Sequence, residues 1–290
     1  MTDLAAELAR HDHWYHTIEL PGGILTPGLY DMPRAARRIG MPKSLRGRRC
    51  LDIGTADGFW AFEMERRGAD EVVALDLGGV ASLDWPPAAR SVPHEDMPSI
   101  ERFKLAHEAL GSAVQWVDGS VYDVTPEKLG SFDFVFIGSM LLHLRDPMRA
   151  LDAVRSVVRG ELLVNEAVSL PLTMLRPWWP AARVVGAVQP AWWVPNVAGL
   201  RRFVETAGYQ IVAAGGPYTL KFGSGRDTGD EQPLAPVALR PLHRLPLQLM
   251  RNARDRFGIP HAWILAAPRP DLVSDPAAPR SSLEAAHQRS

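Results

Sequence analysis

Cysteine is nearly absent: Cys50 stands alone in 290 residues, so no disulfide can form within the chain. Its small side chain, at an apolar position, reads as core rather than as a reactive thiol. Lysine is almost as scarce, with only Lys43, Lys104, Lys128 and Lys221, and arginine carries the positive charge instead. The formal net charge is −1, so no global field draws the molecule to nucleic acid or membrane. Long apolar runs are missing as well. No stretch reaches bilayer-spanning length, and the amino terminus lacks the charged-then-apolar order of a secretory signal. These absences predict a cytoplasmic protein with no membrane partner. Apolar residues make up 46% of the chain, enough for one large domain with additions.

What is present centres on CLDIGTADGFWAFEMERRGADEVVALDL, Cys50 to Leu77. An apolar run, Cys50 to Ile53, meets a glycine turn, then an amphipathic segment from Phe59 to Arg67 and a second strand from Glu71 to Leu75. Glycines at a strand's carboxyl end let the backbone approach a ligand that a Cβ would repel. Asp76 lies about twenty residues downstream, where an acidic side chain accepts both ribose hydroxyls of a nucleoside. A dinucleotide enzyme would carry GxGxxG with a helix amino end facing a pyrophosphate. Here the spacing is Asp52, Gly54, Gly58, and the charge of Asp57 opposes a pyrophosphate. An ordinary tight turn is the plain alternative.

Further pieces follow in order. Val114 to Val117 reads as a third strand and delivers Asp118 and Gly119. Phe132 to Ile137 is a continuous apolar run, as a parallel strand buried on both faces requires, and opens into Gly138, Ser139 and Met140. In LLHLRDPMRAL, Asp146 is the expected N-cap and Pro147 the first residue of a helix reaching Val158. Glu161 to Asn165 reads as a fifth strand, Asn196 as the cap of a helix to Ala207 closed by Gly208, and Tyr209 to Ala214 as a sixth strand. The seventh begins at His261.

This order resembles the class I S-adenosylmethionine (SAM) methyltransferases, whose first motif is an acidic residue followed by three glycines at alternate positions. A His-Leu-x-Asp-Pro phrase after the fourth strand is common there. Ala56 replaces the middle glycine, a departure expected to need a negative φ. The resemblance implies an α/β, Rossmann-like fold with a seven-stranded, mostly parallel sheet and helices on both faces. It implies SAM as cofactor, held by Tyr15, Asp52, Gly54, Thr55, Asp57, Gly58, Asp76, Leu77, Asp118, Gly119, Ser120, Gly138 and Ser139.

WYHTIELPGG followed by TPG, and later WWVPNVAGLRRFVETAGY, are similar to the tRNA wobble-uridine carboxymethyltransferase family, over roughly residues 13–215. That family uses carboxy-SAM, held by a lysine of the amino-terminal segment and a tyrosine just before the fourth-strand His. Here Leu142 stands in the tyrosine's place, and Ile18 to Tyr30 holds no lysine. A buried carboxylate without a cation costs several kcal/mol, which favours plain SAM.

The acceptor is expected to be a small, aromatic or partly apolar molecule. Trp178, Trp179, Trp192 and Trp193 bracket the segment where this class builds its acceptor pocket, and Trp14 lies in the extension that closes over it. Anchoring a loop to the core is their alternative role. His143, His16 and Glu166 are candidate general bases, with a structural hydrogen bond the alternative for His143. A bias to Arg, Ala, Pro and Gly fits a GC-rich genome and specialised metabolism. The basic run from Arg34 to Arg49 leaves a tRNA substrate as an alternative, though it also reads as a solvated face. A non-catalytic SAM-binding module is another. Metal-dependent transfer would need clustered acids, and Asp133, Asp146 and Glu166 form no tight cluster.

Residues 1–48 read as an amino-terminal extension or lid, with a short helix from Asp3 to Arg10. Residues 49–270 read as the methyltransferase domain, with substrate-side insertions at 167–195 and 216–260. The second insertion is expected to hold a helix from Leu245 to Phe257 and to serve as a lid or dimer arm. Residues 271–290 read as a disordered tail.

Overall fold

The computed structural model describes residues 4–8, 11, 13–78, 84–87, 99–185, 190–225 and 258–272. The expected helix from Leu245 to Phe257, most of the excursion from Asp84 to Pro98 and nearly all of the tail lie outside those residues. In chain order, the described strands are β1 (Glu19–Leu20), β2 (Ile24–Leu25), β3 (Arg49–Ile53), β4 (Glu71–Asp76), β5 (Gln115–Asp118) and β6 (Phe132–Gly138). They continue with β7 (Val158–Ala167), β8 (Ala182–Val184), β9 (Trp193–Pro195), β10 (Tyr209–Leu220) and β11 (Ile259–Pro268).

Seven of these strands form one sheet in the order β10-β11-β7-β6-β3-β4-β5, in which only β11 runs against its neighbours. Successive strand residues feed opposite faces. Cys50, Val72, Ala74, Phe134, Phe136 and Leu163 join one core, against helices Phe59–Arg66 and Ser99–Leu110. Leu51, Ile53, Val73, Leu75, Val135, Ile137, Leu162 and Val164 join the other, against Pro147–Arg155 and Val197–Thr206. Burial on both faces explains why these strands read as unbroken apolar runs.

The caps expected from sequence are present. Asp146 accepts the Arg149 N–H at 3.0 Å, and Asn196 accepts that of Gly199 at 2.7 Å. Gly208 follows the Val197–Thr206 helix at φ 84°, a left-handed conformation open to glycine at little cost. The expected helix to Val158 instead ends at Arg155, and β7 begins at Val158 rather than Glu161. Its extra length comes from a register shift opposite Phe132 and Phe134, where Gly160 packs so tightly that a Cβ would lie 2.2 Å from the Asp133 carbonyl oxygen. The sixth strand does not stop at Ala214. β10 runs on to Leu220 through a second shift, with the Trp263 ring filling the space over Gly215.

Residues 13–30 pack as a wall beside the sheet. Thr26, fully buried, donates its hydroxyl to the His16 carbonyl at 2.7 Å and accepts the Ile18 N–H at 2.8 Å. Bridges from His16 to Tyr30, and from Tyr30 to Phe222, tie this wall to the end of β10.

Candidate active site

At the carboxyl ends of β3, β4, β5 and β6 lies a crevice of about 480 Å³, at the point where the strand order reverses on either side of β3. Open α/β sheets bind ligands at such points, and the volume suits a small-molecule site. Its lining combines the amino-terminal wall (Tyr15, His16), the glycine turn (Ile53, Gly54, Ala56) and the end of β4 (Leu75, Asp76, Leu77). Gly119, Ser120, Val121 and Tyr122 follow β5, and Gly138, Ser139, Met140, His143 and Leu144 follow β6. Asp84 and Trp85 complete it. A shallower hollow of about 660 Å³ around Arg201, Glu205 and Arg269 lies away from these strand ends.

The turn is built around Asp76. Its Oδ2 accepts the Ala56 N–H at 2.6 Å and its Oδ1 the Leu77 N–H at 2.7 Å. Each oxygen keeps a lone pair for a ribose hydroxyl, so the residues present fit the nucleoside of SAM. Burial pushes the Asp76 carboxyl up to about 6, with the Asp57 and Asp118 charges adding to it. Ala56 corrects the sequence expectation: its φ is +48°, not negative. The hydrogen bond to Asp76 holds it in the left-handed region that the family's glycine reaches without strain. At Gly54, φ is +74° and a Cβ would meet the Met140 sulfur at 2.9 Å, so the turn and the loop after β6 come together only around a glycine.

Asp52, Thr55 and Asp57 are not on the crevice lining and stand behind the turn. The Thr55 hydroxyl donates to Asp52 at 2.6 Å, and burial pushes the Asp52 carboxyl up to about 7. Asp57 is fully buried, with Oδ1 paired to Arg102 at 2.8 Å and Oδ2 accepting the N–H groups of Tyr15 and His16 at 2.5 and 2.9 Å. It clamps the amino-terminal wall to the turn. Gly58, at φ +95°, opens the Phe59–Arg66 helix against Phe62 and Phe103. The Asp118 carboxylate accepts the Gly78 N–H at 2.9 Å.

Of the candidate bases, His143 and His16 line the crevice and Glu166 does not. Glu166 is buried under the loop after β6, where one oxygen accepts the N–H groups of Met140 and Leu141, each at 2.8 Å. Burial pushes it up to about 7. His143 Nδ1 bonds the Pro190 carbonyl, which fixes the proton on Nδ1 and leaves the Nε2 lone pair available. Burial lowers its pKa, keeping the ring neutral. His16 falls to about 4 by burial, and its Nδ1 has no hydrogen-bond partner.

The tryptophans separate. Trp14 is 1% exposed and belongs to the core that packs on one face of the sheet. Trp192 and Trp193 anchor loops, donating Nε1–H to the carbonyls of Asp84 at 2.6 Å and Leu144 at 3.0 Å. Trp178 and Trp179 are exposed, on the protein surface. No group of three or more His, Cys, Asp or Glu among the described residues is placed to hold a metal ion.

Several contributors were not singled out from sequence. Arg102 holds Asp57 from a helix that follows a proline-rich stretch. Asp84 accepts both the Tyr122 hydroxyl at 2.7 Å and the Arg145 N–H at 2.8 Å, joining three loops. His261 is another: its Nε2 lies 2.8 Å from Oγ of Ser139, itself a sequence candidate, while its Nδ1 lies 3.0 Å from the Ile259 carbonyl. In the neutral ring the carbonyl sets the proton on Nδ1, so Ser139 donates to Nε2. No local pattern marks these pairs, because their members are brought together only by the sheet order.

A family model described as a methyltransferase domain matches residues 29–214. The tRNA U34 carboxymethyltransferase of Pseudomonas aeruginosa is 30% identical over 173 residues, covering 59% of this chain and 48% of that protein. The enzyme of the same name from Azotobacter vinelandii is 30% identical over 177 residues, covering 60% and 49%. The chain thus spans about half the length of the curated relatives it matches. Among solved structures, the N-terminal domain of EvdMO1, crystallised with SAH and D-fucose, aligns with a TM-score of 0.51 at 16% identity, over 93% of this chain and 98% of that one. The [4+2]-cyclase SpnF aligns with a TM-score of 0.51 at 14% identity, over 92% and 93%. The sheet order, the crevice beside Asp76 and the family match agree: the chain belongs to the methyltransferase-domain family and has the class I SAM-dependent methyltransferase fold.

Proposed function

We propose that the protein transfers a methyl group from SAM to a small, neutral acceptor, aromatic or partly apolar, with His143 as the base. The observation that carries this reading is the crevice itself. It runs from the Asp76 carboxylate to the His143 imidazole, and no Lys or Arg stands among its described lining residues. An anionic acceptor or a carboxy-SAM carboxylate would lie there without a cation, at a cost of several kcal/mol. Trp85, Tyr122, Met140 and Leu144 supply the apolar surface that a planar neutral acceptor covers.

Bound SAM supplies an electrophilic methyl group on a positively charged sulfur. Asp76 orients the cofactor through its ribose, and Met140, locked over Gly54, fixes the loop facing the acceptor. Glu166 holds that loop through its consecutive N–H groups, so the imidazole of His143 is placed without further ordering. His143 Nε2 would take the proton of an acceptor O or N as it is methylated, or that of an acceptor carbon afterwards. Base assistance of this kind contributes about 100- to 10,000-fold.

The deciding experiment incubates the protein with methyl-labelled SAM and, separately, small-molecule extract or bulk tRNA. Label in a small product supports the reading; label in tRNA overturns it, and a protein that binds SAM without releasing S-adenosylhomocysteine is a binding module. His143→Ala is expected to lower turnover by about 100- to 10,000-fold and leave SAM affinity unchanged. Calorimetry with S-adenosylhomocysteine separates the two effects.

A further inference from the structure

We propose that the surface formed by Met174, Leu175, Trp178, Trp179 and Val184 docks the protein onto an anionic lipid bilayer. These five residues lie within one short stretch and are all exposed, Trp178 by 89% and Trp179 by 71%. Among the described residues, the other large exposed apolar side chains are Leu25 and Val212, far away in sequence. Clustered exposed apolar side chains mark an interaction site, whereas scattered ones need no explanation.

The exposure does not come from a loose loop. Asn196, fully buried, donates Nδ2–H to the carbonyls of Arg176 at 2.8 Å and Trp179 at 2.9 Å. Its Oδ1 accepts the N–H groups of Ala181 at 3.0 Å and Gly199 at 2.7 Å. Thr173 Oγ1 takes the Val197 N–H at 3.2 Å, and β8 pairs with β9. One buried side chain therefore holds the backbone on both sides of the tryptophan pair while the rings point outward. A platform ordered in advance loses little conformational freedom on binding.

Charge decides what covers it. From Ala167 to Pro195 the sequence contains Arg176 and Arg183 and no Asp or Glu. Both arginines are exposed. A two-fold dimer through this patch would bring Arg176 of both copies together with no acid of that stretch between them. Stacked nucleic-acid bases would explain the tryptophans but not Met174, Leu175 and Val184. An anionic bilayer accounts for these features: tryptophan rings seat at the headgroup level, aliphatic side chains reach the acyl boundary, and Arg176 meets a lipid phosphate. Neither the net charge of −1 nor the lack of a membrane-crossing helix among the described residues bears on such docking, which uses a local patch. The inference is independent of the methyl-transfer reading.

The test is sedimentation with vesicles of phosphatidylcholine alone and of phosphatidylcholine mixed with phosphatidylglycerol. The parent is expected to sediment with the mixed vesicles and to show a blue shift of tryptophan emission. Trp178→Ala/Trp179→Ala is expected to bind about 100-fold more weakly at an unchanged melting temperature. If that double variant does not fold, Trp178→Ala alone carries the comparison. Arg176→Gln is expected to weaken the preference for anionic vesicles. The proposal is overturned if the parent ignores mixed vesicles, if bulk tRNA displaces it from them, or if sedimentation velocity shows a dimer that the tryptophan variant loses. Protection of the tryptophans from acrylamide quenching without vesicles also overturns it, because the chain then covers the patch itself.

Discussion

In the proposed reading, one carboxylate of Asp76 serves two roles. Each oxygen already accepts a backbone N–H, which shapes the turn, and a bound nucleoside adds two ribose donors to the remaining lone pairs. Burial, with Asp57 and Asp118 nearby, raises its pKa to about 6 before any ligand arrives. Hydroxyl donors favour the ionised form, so binding should pull protons off Asp76 at mildly acid pH. SAM affinity is therefore expected to rise with pH through about 6 and then level off, and Asp76→Asn is expected to remove that step as well as weaken binding. Titration calorimetry across that range checks both. For the unliganded fold the sign runs the other way. Asp76, with Asp52 and Glu166 at about 7, has its folded pKa above the unfolded value, so stability should fall as pH rises from about 4 to 7. The motif residues Asp52, Gly54, Gly58 and Asp76 were all legible from spacing. The left-handed backbone of Ala56 was not, because it depends on the hydrogen bond from a strand about twenty residues away.

Helices and loops meet around Asp57. The Ser99–Leu110 helix supplies Arg102, the wall supplies two N–H groups, and the glycine turn supplies the carboxylate that joins them. Removing one partner of a buried pair leaves the other charged and unpaired. Asp57→Ala is expected to cost about 3–5 kcal/mol and to weaken SAM binding by releasing Tyr15 and His16 from the turn. Asp57→Asn/Arg102→Met, which removes both charges, is expected to recover part of that stability, and urea denaturation of both variants measures it. Sequence patterning found the seven strands of the main sheet and the helices beginning at Phe59, Pro147 and Val197, whose apolar periods are strong, and missed the Ser99–Leu110 helix. It cut β10 short at Ala214, since Gly215, Gly216 and Pro217 are written like a turn, whereas the strand continues through a register shift there and Trp263 lies against Gly215.

At the scale of the whole molecule, part of the basic run is balanced in place. Arg48 pairs with Glu161 and Arg49 with Glu71, both at 2.7 Å, so two members of the basic run are committed within the fold. With a net charge of −1 and no cation among the described crevice residues, turnover on a small acceptor is expected to change little between low and moderate salt. A substrate held through many phosphates would instead lose about 1,000- to 100,000-fold in affinity over a modest rise in salt. Initial rates in a salt series make the comparison.

The sequence by itself determined the seven strands, the glycine turn, the acidic end of β4 and the helix caps, because each rests on periodicity or on fixed local spacing. Only the tertiary structure decided which side chains meet. It put Trp14 in the core and Trp178 in solvent, and turned Asp57 and Glu166 from site candidates into anchors. It also joined Ser139 to His261 across more than half of the domain's sequence. Such assignments follow from strand order and burial, which bring distant residues together and which no stretch of sequence carries alone.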